Sequence, residues 1–390
     1  MTSLALPPYI MTSEEGSFAR HTIENRKPLI IDQILADFPY TREIRSELLA
    51  FKEELKQGPI SLLRENTSDK TLWDHDLQPW SGKGWLEMPW FLAEAYFYRR
   101  VLEIVHYFQP GPWIGLNPFR RMKEKEIDGA LPVFTQAYET MAGNPDLKNF
   151  QDYSYKALWG NRADLSNLDA FSDDLSHQSD LIIRDDSEFA YQLLREMPGK
   201  IYYIFDNVGN EIYLDLAFID FMLEAGLATA VTCVMKNQPF FVSDAMPNDF
   251  FLVLDRLAGS ESLKVRNLAE RLKHAHQSGR LKIEAPPFFT SSRMYRQFPE
   301  ALRDQISAHT LTILKGDVNY RRLIGDRHWE PTTPVGRAAG YFPISFMSLR
   351  TLKAELIVGL SDELHQDLQT SAEPDWMING NRGAITFLKI

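Results

Sequence analysis

Three short stretches of the chain place oxygen ligands and cations where phosphate chemistry would need them. Asp206-Asn207 follows the apolar run Ile201-Tyr202-Tyr203-Ile204-Phe205, and Asp244 follows Pro239-Phe240-Phe241-Val242-Ser243. A carboxylate beside an amide oxygen, with a second carboxylate, suits a hard or borderline divalent cation. Taken alone, each stretch reads more readily as a helix-cap turn, because Asp and Asn are favoured N-cap residues. The third stretch is Lys315-Gly316-Asp317-Val318-Asn319-Tyr320-Arg321-Arg322. There Gly316 would let backbone N–H groups approach an anion, and Lys315 would supply a point charge. Its plain alternative is a polar β–α turn. Arg350-Thr351-Leu352-Lys353 adds two cations that could close on a phosphate or form a surface cluster. Together these stretches describe metal-assisted phosphoryl chemistry. A metal polarises a phosphoryl oxygen and lowers the pKa of a bound water, and cations neutralise the transferring group. Asp206 or Asp244 could itself attack phosphorus, so both nucleophiles stay open.

Other chemistry has less support. Of the nine histidines, His274 and His276 are two apart, which on a helix points them to different faces. There is no His-Glu-x-x-His, Walker A loop, G-x-G-x-x-G or G-x-S-x-G elbow. The single cysteine, Cys233, sits in the apolar run Ala230 to Met235 and reads as a small buried hydrophobe. One cysteine excludes an internal disulfide framework and a Cys-rich zinc site.

The elements that must carry these residues change character along the chain. In the first half, Phe91, Ala95, Tyr98, Leu102 and Val105 form one apolar stripe of a helix starting after Pro89, with Arg99, Arg100 and Glu103 off the stripe. Helical spacing also runs from Ile44 to Leu55, ended by Gly58-Pro59, and from Leu131 to Met141. In the second half, short apolar runs at 201–205, 230–235, 281–283, 311–314, 356–358 and 384–388 predict strands. Helical patterns lie between them, among them 211–225, 250–257 and 262–276. Buried strands alternating with helices predict a three-layer α/β/α sandwich with a mainly parallel sheet. We expect a helical N-terminal domain over 1–185 and an α/β metal- and phosphate-binding domain over 186–390. The Asp/Ser-rich stretch 164–187 is the most linker-like. Open parallel sheets bind ligands at the carboxyl ends of their strands, where Asp206, Asp244 and Lys315 would stand.

Composition narrows the partners. Hydrophobic residues are 44% and charged residues 24% of 390, the balance of a packed globular protein. A net charge of −11, with no long Lys/Arg run, argues against nucleic acid. No window approaches a membrane span and no signal-peptide pattern opens the chain, so we expect a cytoplasmic protein. The expected partner is a small phosphorylated metabolite, without nucleic acid, membrane or obligate protein partner.

The motifs also resemble a known family. Asp206-Asn207 with Glu211, Phe241-Val242-Ser243-Asp244, and Lys315 to Arg321 resemble those of the damage-control phosphatases, formerly domain of unknown function eighty-nine. Arg350-Thr351-Leu352-Lys353 resembles the RTxK mark of the third branch. That branch holds sugar-phosphate phosphatases and proteins named acidic-residue (protein-glutamate) methyltransferase. In the N-terminal half, Pro89-Trp90, Ala93-Glu94, Tyr98-Arg99-Arg100, Asn117-Pro118-Phe119 and Leu158 to Ser166, with Asn161 and Arg162, match in family order. The resemblance covers about 20 to 388. It implies an α/β/α fold with an added helical domain, and Asp206, Asn207 and Asp244 as metal ligands. It further implies Mn²⁺, Co²⁺, Ni²⁺ or Mg²⁺ as cofactor. Lys315, Gly316, Asp317, Val318, Asn319 and Lys353 are the implied phosphate and sugar contacts, with Glu211, Arg321 and Arg350 at the same site. Implied substrates are fructose 1-phosphate and fructose 6-phosphate. The chain departs from the family loop at Val208 and Asn210, beside the metal ligands. Two other readings remain. One is carboxyl methylation with S-adenosylmethionine, for which no glycine-rich loop follows a strand. The other is a non-catalytic sugar-phosphate binding protein.

Overall fold

A computed structural model describes residues 5–160 and 179–390. Among them, β1 Ile182–Asp185, β2 Gly199–Ile204, β3 Ala228–Val234, β4 Leu281–Glu284, β5 Leu311–Lys315, β6 Phe346–Thr351 and β7 Gly383–Leu388 form one sheet. Its order is β1-β7-β6-β5-β2-β3-β4. β6 and β7 are antiparallel, and the other neighbours run parallel.

The central strands are apolar on both faces because both faces are covered. Ile201, Tyr203, Val231, Cys233 and Ile313 enter one core, with helices Arg120–Thr140, Leu147–Trp159, Asn210–Glu224, Pro247–Ala258 and Leu263–Gln277. Tyr202, Ile204, Val234 and Leu314 point the other way, against helices Glu300–Ser307, Gly316–Ile324 and Val335–Ala339. That alternation makes three layers, an α/β/α sandwich. A separate core joins helices Lys27–Asp37, Arg42–Gln57, Lys70–Leu77 and Trp90–Ile104, and Phe240 from the α/β half reaches into it.

The expected helices and strands fall within a few residues of their predicted places, with three differences. The predicted strand 356–358 is not a strand, and its place in the sheet is taken by β6. The stretch 356–358 is apolar because it packs as irregular chain in the core. Side chains take two of its backbone groups: Val358 N donates to the Tyr320 hydroxyl at 3.1 Å, and Leu356 O accepts from Arg350 at 2.9 Å. The 131–141 helix begins earlier, at Arg120, and carries Pro132 inside it. Helix Trp90–Ile104 is buried all round, so Arg99, Arg100 and Glu103 face protein rather than solvent. Arg99 pairs with Glu65 at 2.7 Å and Asp69 at 2.6 Å, and Arg100 pairs with Glu103. Most of the stretch 164–187 lies outside the described residues; its end forms β1, which pairs with β7. No helix among the described residues is long and apolar enough to cross a membrane.

Candidate metal and phosphate site

β2 and β3 lie side by side, and the chain leaving each continues as one stitched pair of loops. Ala245 N donates to Asp206 O at 2.7 Å, and Val208 N donates to Ser243 O at 2.8 Å. An isolated antiparallel bridge pairs Asn207 with Asp244. These bonds place the side chains of Asp206, Asn207 and Asp244 together at the carboxyl end of the sheet. Phe241 and Val242 reach Asp244 with positive φ, 43° and 65°. For a β-branched residue that is an outlier, the kind of local strain that concentrates at functional sites.

The two carboxylates are buried, Asp206 3% and Asp244 1% exposed. Asp206 Oδ2 accepts from Asn207 Nδ2 at 2.8 Å, and Asn207 Oδ1 accepts from Ser243 Oγ at 2.7 Å. Asp206 Oδ1 and Asp244 Oδ1 have no hydrogen-bond partner among the described residues. Asp244 is balanced by Lys236, whose Nζ lies 3.1 Å from Oδ2 without a well-angled hydrogen bond. Asp206 has no cation within ion-pair distance among the described residues. Burial drives its pKa well above the usual carboxylate range, Glu211 and Asp244 push the same way, and Lys236 and Lys315 oppose. Burial also raises Asp244, against Lys236. Buried charges need partners. Two orphaned carboxylate oxygens beside an amide oxygen fit a divalent cation.

In front of these groups lies a cavity of about 530 Å³. Asp206, Asn207, Asp244, Asp317, Val318 and Lys353 line it, as do Glu94 and Arg321. Lys353 is held below its usual pKa by burial, while Glu211, Asp206 and Asp317 act to raise it.

The remaining residues singled out from sequence stand behind the wall. Lys315 Nζ donates to Ala157 O at 2.6 Å and Glu211 Oε1 at 3.0 Å, and pairs with Asp215 Oδ1 at 2.8 Å. The ammonium is thus surrounded by a carbonyl and two carboxylates. Asn319 is equally committed: Oδ1 accepts from the Tyr295 hydroxyl, and Nδ2 donates to Phe205 O and Lys315 O. It ties the end of β2 to the end of β5. Arg350, on β6, pairs with Asp317 at 2.8 Å. Gly316 has φ +78° and packs against Asp206. Glu211 accepts from Asn207 Nδ2 at 3.1 Å. Arg99 sits in its own ion-pair network in the helical half, away from the cavity lining. Asn161 and Arg162 lie outside the described residues.

Sequence reasoning missed the counter-ions. Lys27, on the cavity wall, pairs with Glu94 at 2.7 Å; Glu94 also holds Arg321 at 2.6 Å, and Arg321 pairs with Asp326 at 2.7 Å. Lys123 Nζ donates to Asp244 O at 2.8 Å. Lys236 directly follows an apolar strand, as Lys315 does, and that signal could have found it. Cys233 is buried, and burial raises its thiol pKa, so no thiolate nucleophile forms there.

The damage-control phosphatase ARMT1-like domain matches residues 22–368. A relative from Homo sapiens, named damage-control phosphatase ARMT1, is 29% identical and covers 98% of each chain. One of the same name from Danio rerio is 28% identical, covering 98% of this chain and 97% of its own. A crystal structure of a DUF89 family protein from Pyrococcus horikoshii superposes with a TM-score of 0.51 at 14% identity. It covers 95% of this chain and 97% of its own, and supports the fold.

Proposed function

Because the chain belongs to the damage-control phosphatase ARMT1-like domain family, we propose that it is a metal-dependent phosphomonoesterase of small metabolites. Sugar phosphates of the fructose 1-phosphate or fructose 6-phosphate type are the first substrates to try. Asp206, Asn207 and Asp244 hold a divalent cation, Mn²⁺, Co²⁺, Ni²⁺ or Mg²⁺. The observation that carries this reading is Asp206: a buried carboxylate with an orphaned Oδ1 at the cavity and no cation within ion-pair distance among the described residues.

When bound, the cation supplies Lewis-acid polarisation of a phosphoryl oxygen. The chain's own residues do the rest. Lys353, on the cavity wall, neutralises charge on the phosphoryl group. The first turn of helix Gly316–Ile324 forms part of the same wall through Asp317 and Val318, bringing the positive helix end to the anion. Arg350 holds Asp317 in place through their ion pair. Glu94 pairs with both Arg321 and Lys27: the Arg321 pair locks helix Trp90–Ile104 against the α/β half, and the Lys27 pair ties it to helix Lys27–Asp37, fixing the cavity's shape. This assignment makes Lys315 and Asn319 supports of the site rather than contacts to phosphate.

The test is a screen of phosphorylated metabolites with each of the four metals, on wild type and Asp206→Ala. Hydrolysis that drops to background in the variant, with circular dichroism unchanged, supports the reading. Full activity in the variant sinks it, and sugar-phosphate binding without turnover would favour a binding protein instead.

A further inference from the structure

Asp215 takes no part in the cavity lining, yet it is fully buried and linked to Asn207 through two intervening side chains. Its Oδ1 lies 2.8 Å from Lys315 Nζ and accepts from the Tyr203 hydroxyl at 2.8 Å. Lys315 in turn holds Glu211, and Glu211 Oε2 accepts from Asn207 Nδ2. We infer that Asp215 is a positioning residue for the metal ligand Asn207, acting through Lys315 and Glu211. This rests on the metal reading above.

Three features of the network carry it. The first concerns which end of the Asn207 amide faces the metal. Nδ2 donates to two carboxylates, Asp206 Oδ2 and Glu211 Oε2. A flipped amide would press its oxygen against two anions, so the pair fixes Oδ1 on the side of Ser243 and Asp244. Ser243 Oγ uses one lone pair of that oxygen and leaves the other for a cation.

The second is charge. Glu211 is 1% exposed, and Lys315, 3.0 Å from its Oε1, is the counter-charge that holds this carboxylate facing Asn207.

The third is what surrounds the ammonium of Lys315. Its ammonium is surrounded by three oxygens from two elements, one on helix Leu147–Trp159 and two on helix Asn210–Glu224. Glu211 and Asp215 are four apart on that helix, so they share a face and grip the ammonium from both sides. Removing Asp215 takes away one of the two buried counter-charges of the ammonium and lets it shift from its place against Glu211. Outer partners of metal ligands typically change affinity by about 10–100-fold when lost.

The experiment is calorimetric titration of the full chain with Mn²⁺ alone, well below the melting temperature. Asp215→Leu removes both acceptor oxygens while keeping the branched side-chain skeleton, whereas Asp215→Asn keeps one. The expected result is an affinity at least about tenfold weaker for Asp215→Leu, and within about threefold of wild type for Asp215→Asn. If Asp215→Leu does not fold, Tyr203→Phe decides, since it removes only the hydroxyl that orients Asp215. Weakened Mn²⁺ affinity in that variant supports the inference, and unchanged affinity overturns it. Wild-type affinity in a folded Asp215→Leu overturns it too, because a purely structural carboxylate would lower the melting temperature and leave Mn²⁺ binding alone. Absence of Mn²⁺ binding by wild type is a separate result: it removes the metal reading, and this inference with it.

Discussion

A Cβ on Gly316 would fall 1.8 Å from Oδ2 of Asp206, and Gly316 has φ +78°. The carboxylate occupies the space that any side chain at 316 would take, in a backbone conformation that costs an L-residue roughly 1–2 kcal/mol. Gly316→Ala therefore has to move Asp206. Its expected effect is a modest fall in melting temperature and a much larger loss of Mn²⁺ affinity. Thermal unfolding and Mn²⁺ titration of the same sample check this. Undiminished Mn²⁺ affinity would show that Asp206 tolerates displacement and is no ligand.

The sequence made some of this visible and hid the rest for physical reasons. β2, β3 and β5 were legible because strands covered on both faces read as continuous apolar runs. β6 was hidden because Ser348, Arg350 and Thr351 interrupt the run, though all three are buried. The 356–358 run passed for a strand because burial, not sheet pairing, makes it apolar. Asp206, Asn207 and Asp244 could be proposed from their places after strands. Their contact depends on hydrogen bonds between two loops distant in sequence. Lys315 was visible as a charge, but a sequence does not show a charge's partners. The one available signal was Glu211 and Asp215 at helical i,i+4 spacing, two acids with no basic residue beside them on the helix.

Asp326 joins the two halves at one carboxylate. Oδ2 accepts from Phe91 N at 2.9 Å, in the first turn of helix Trp90–Ile104, and both oxygens hold Arg321. Asp326→Ala removes a helix-terminal partner and leaves a buried guanidinium with Glu94 alone. Breaking one side of a buried pair costs about 3–5 kcal/mol. Urea unfolding should show a loss of that order, and a loss below about 1 kcal/mol would contradict it.

Asp215 also gives the protein a pH dependence with a definite sign. Burial, with Glu211 nearby, pushes its pKa up to about 7 from 3.8, against the pull of Lys315. A carboxyl with a raised folded pKa binds more protons in the native state between those values. Its contribution is fully present below about pH 4 and is lost as pH rises through 7. The ceiling is about 4 kcal/mol at 1.36 kcal/mol per unit. Asp215→Asn mimics the protonated form at every pH. Relative to wild type it should be least stable near pH 4 and gain steadily up to pH 8. Melting curves across that range, without added metal, check the slope; a parallel pair of curves would refute it.

Val242 tests whether strain in the loop before Asp244 serves the site. Its φ of 65° is costly for a β-branched side chain, and Val242 and Phe241 both line the cavity. Glycine adopts that conformation freely but gains about 1 kcal/mol of unfolded-state entropy and gives up the half-buried side chain. These effects oppose, so Val242→Gly should leave stability within about 1 kcal/mol of wild type. A loop no longer held by packing presents Asp244 less firmly to the cation. Mn²⁺ affinity should therefore fall although stability does not, the reverse of what a purely structural residue would show. Equal affinity in both proteins would mean that the backbone bonds of Ser243 and Ala245 to the Asp206 loop fix Asp244 by themselves.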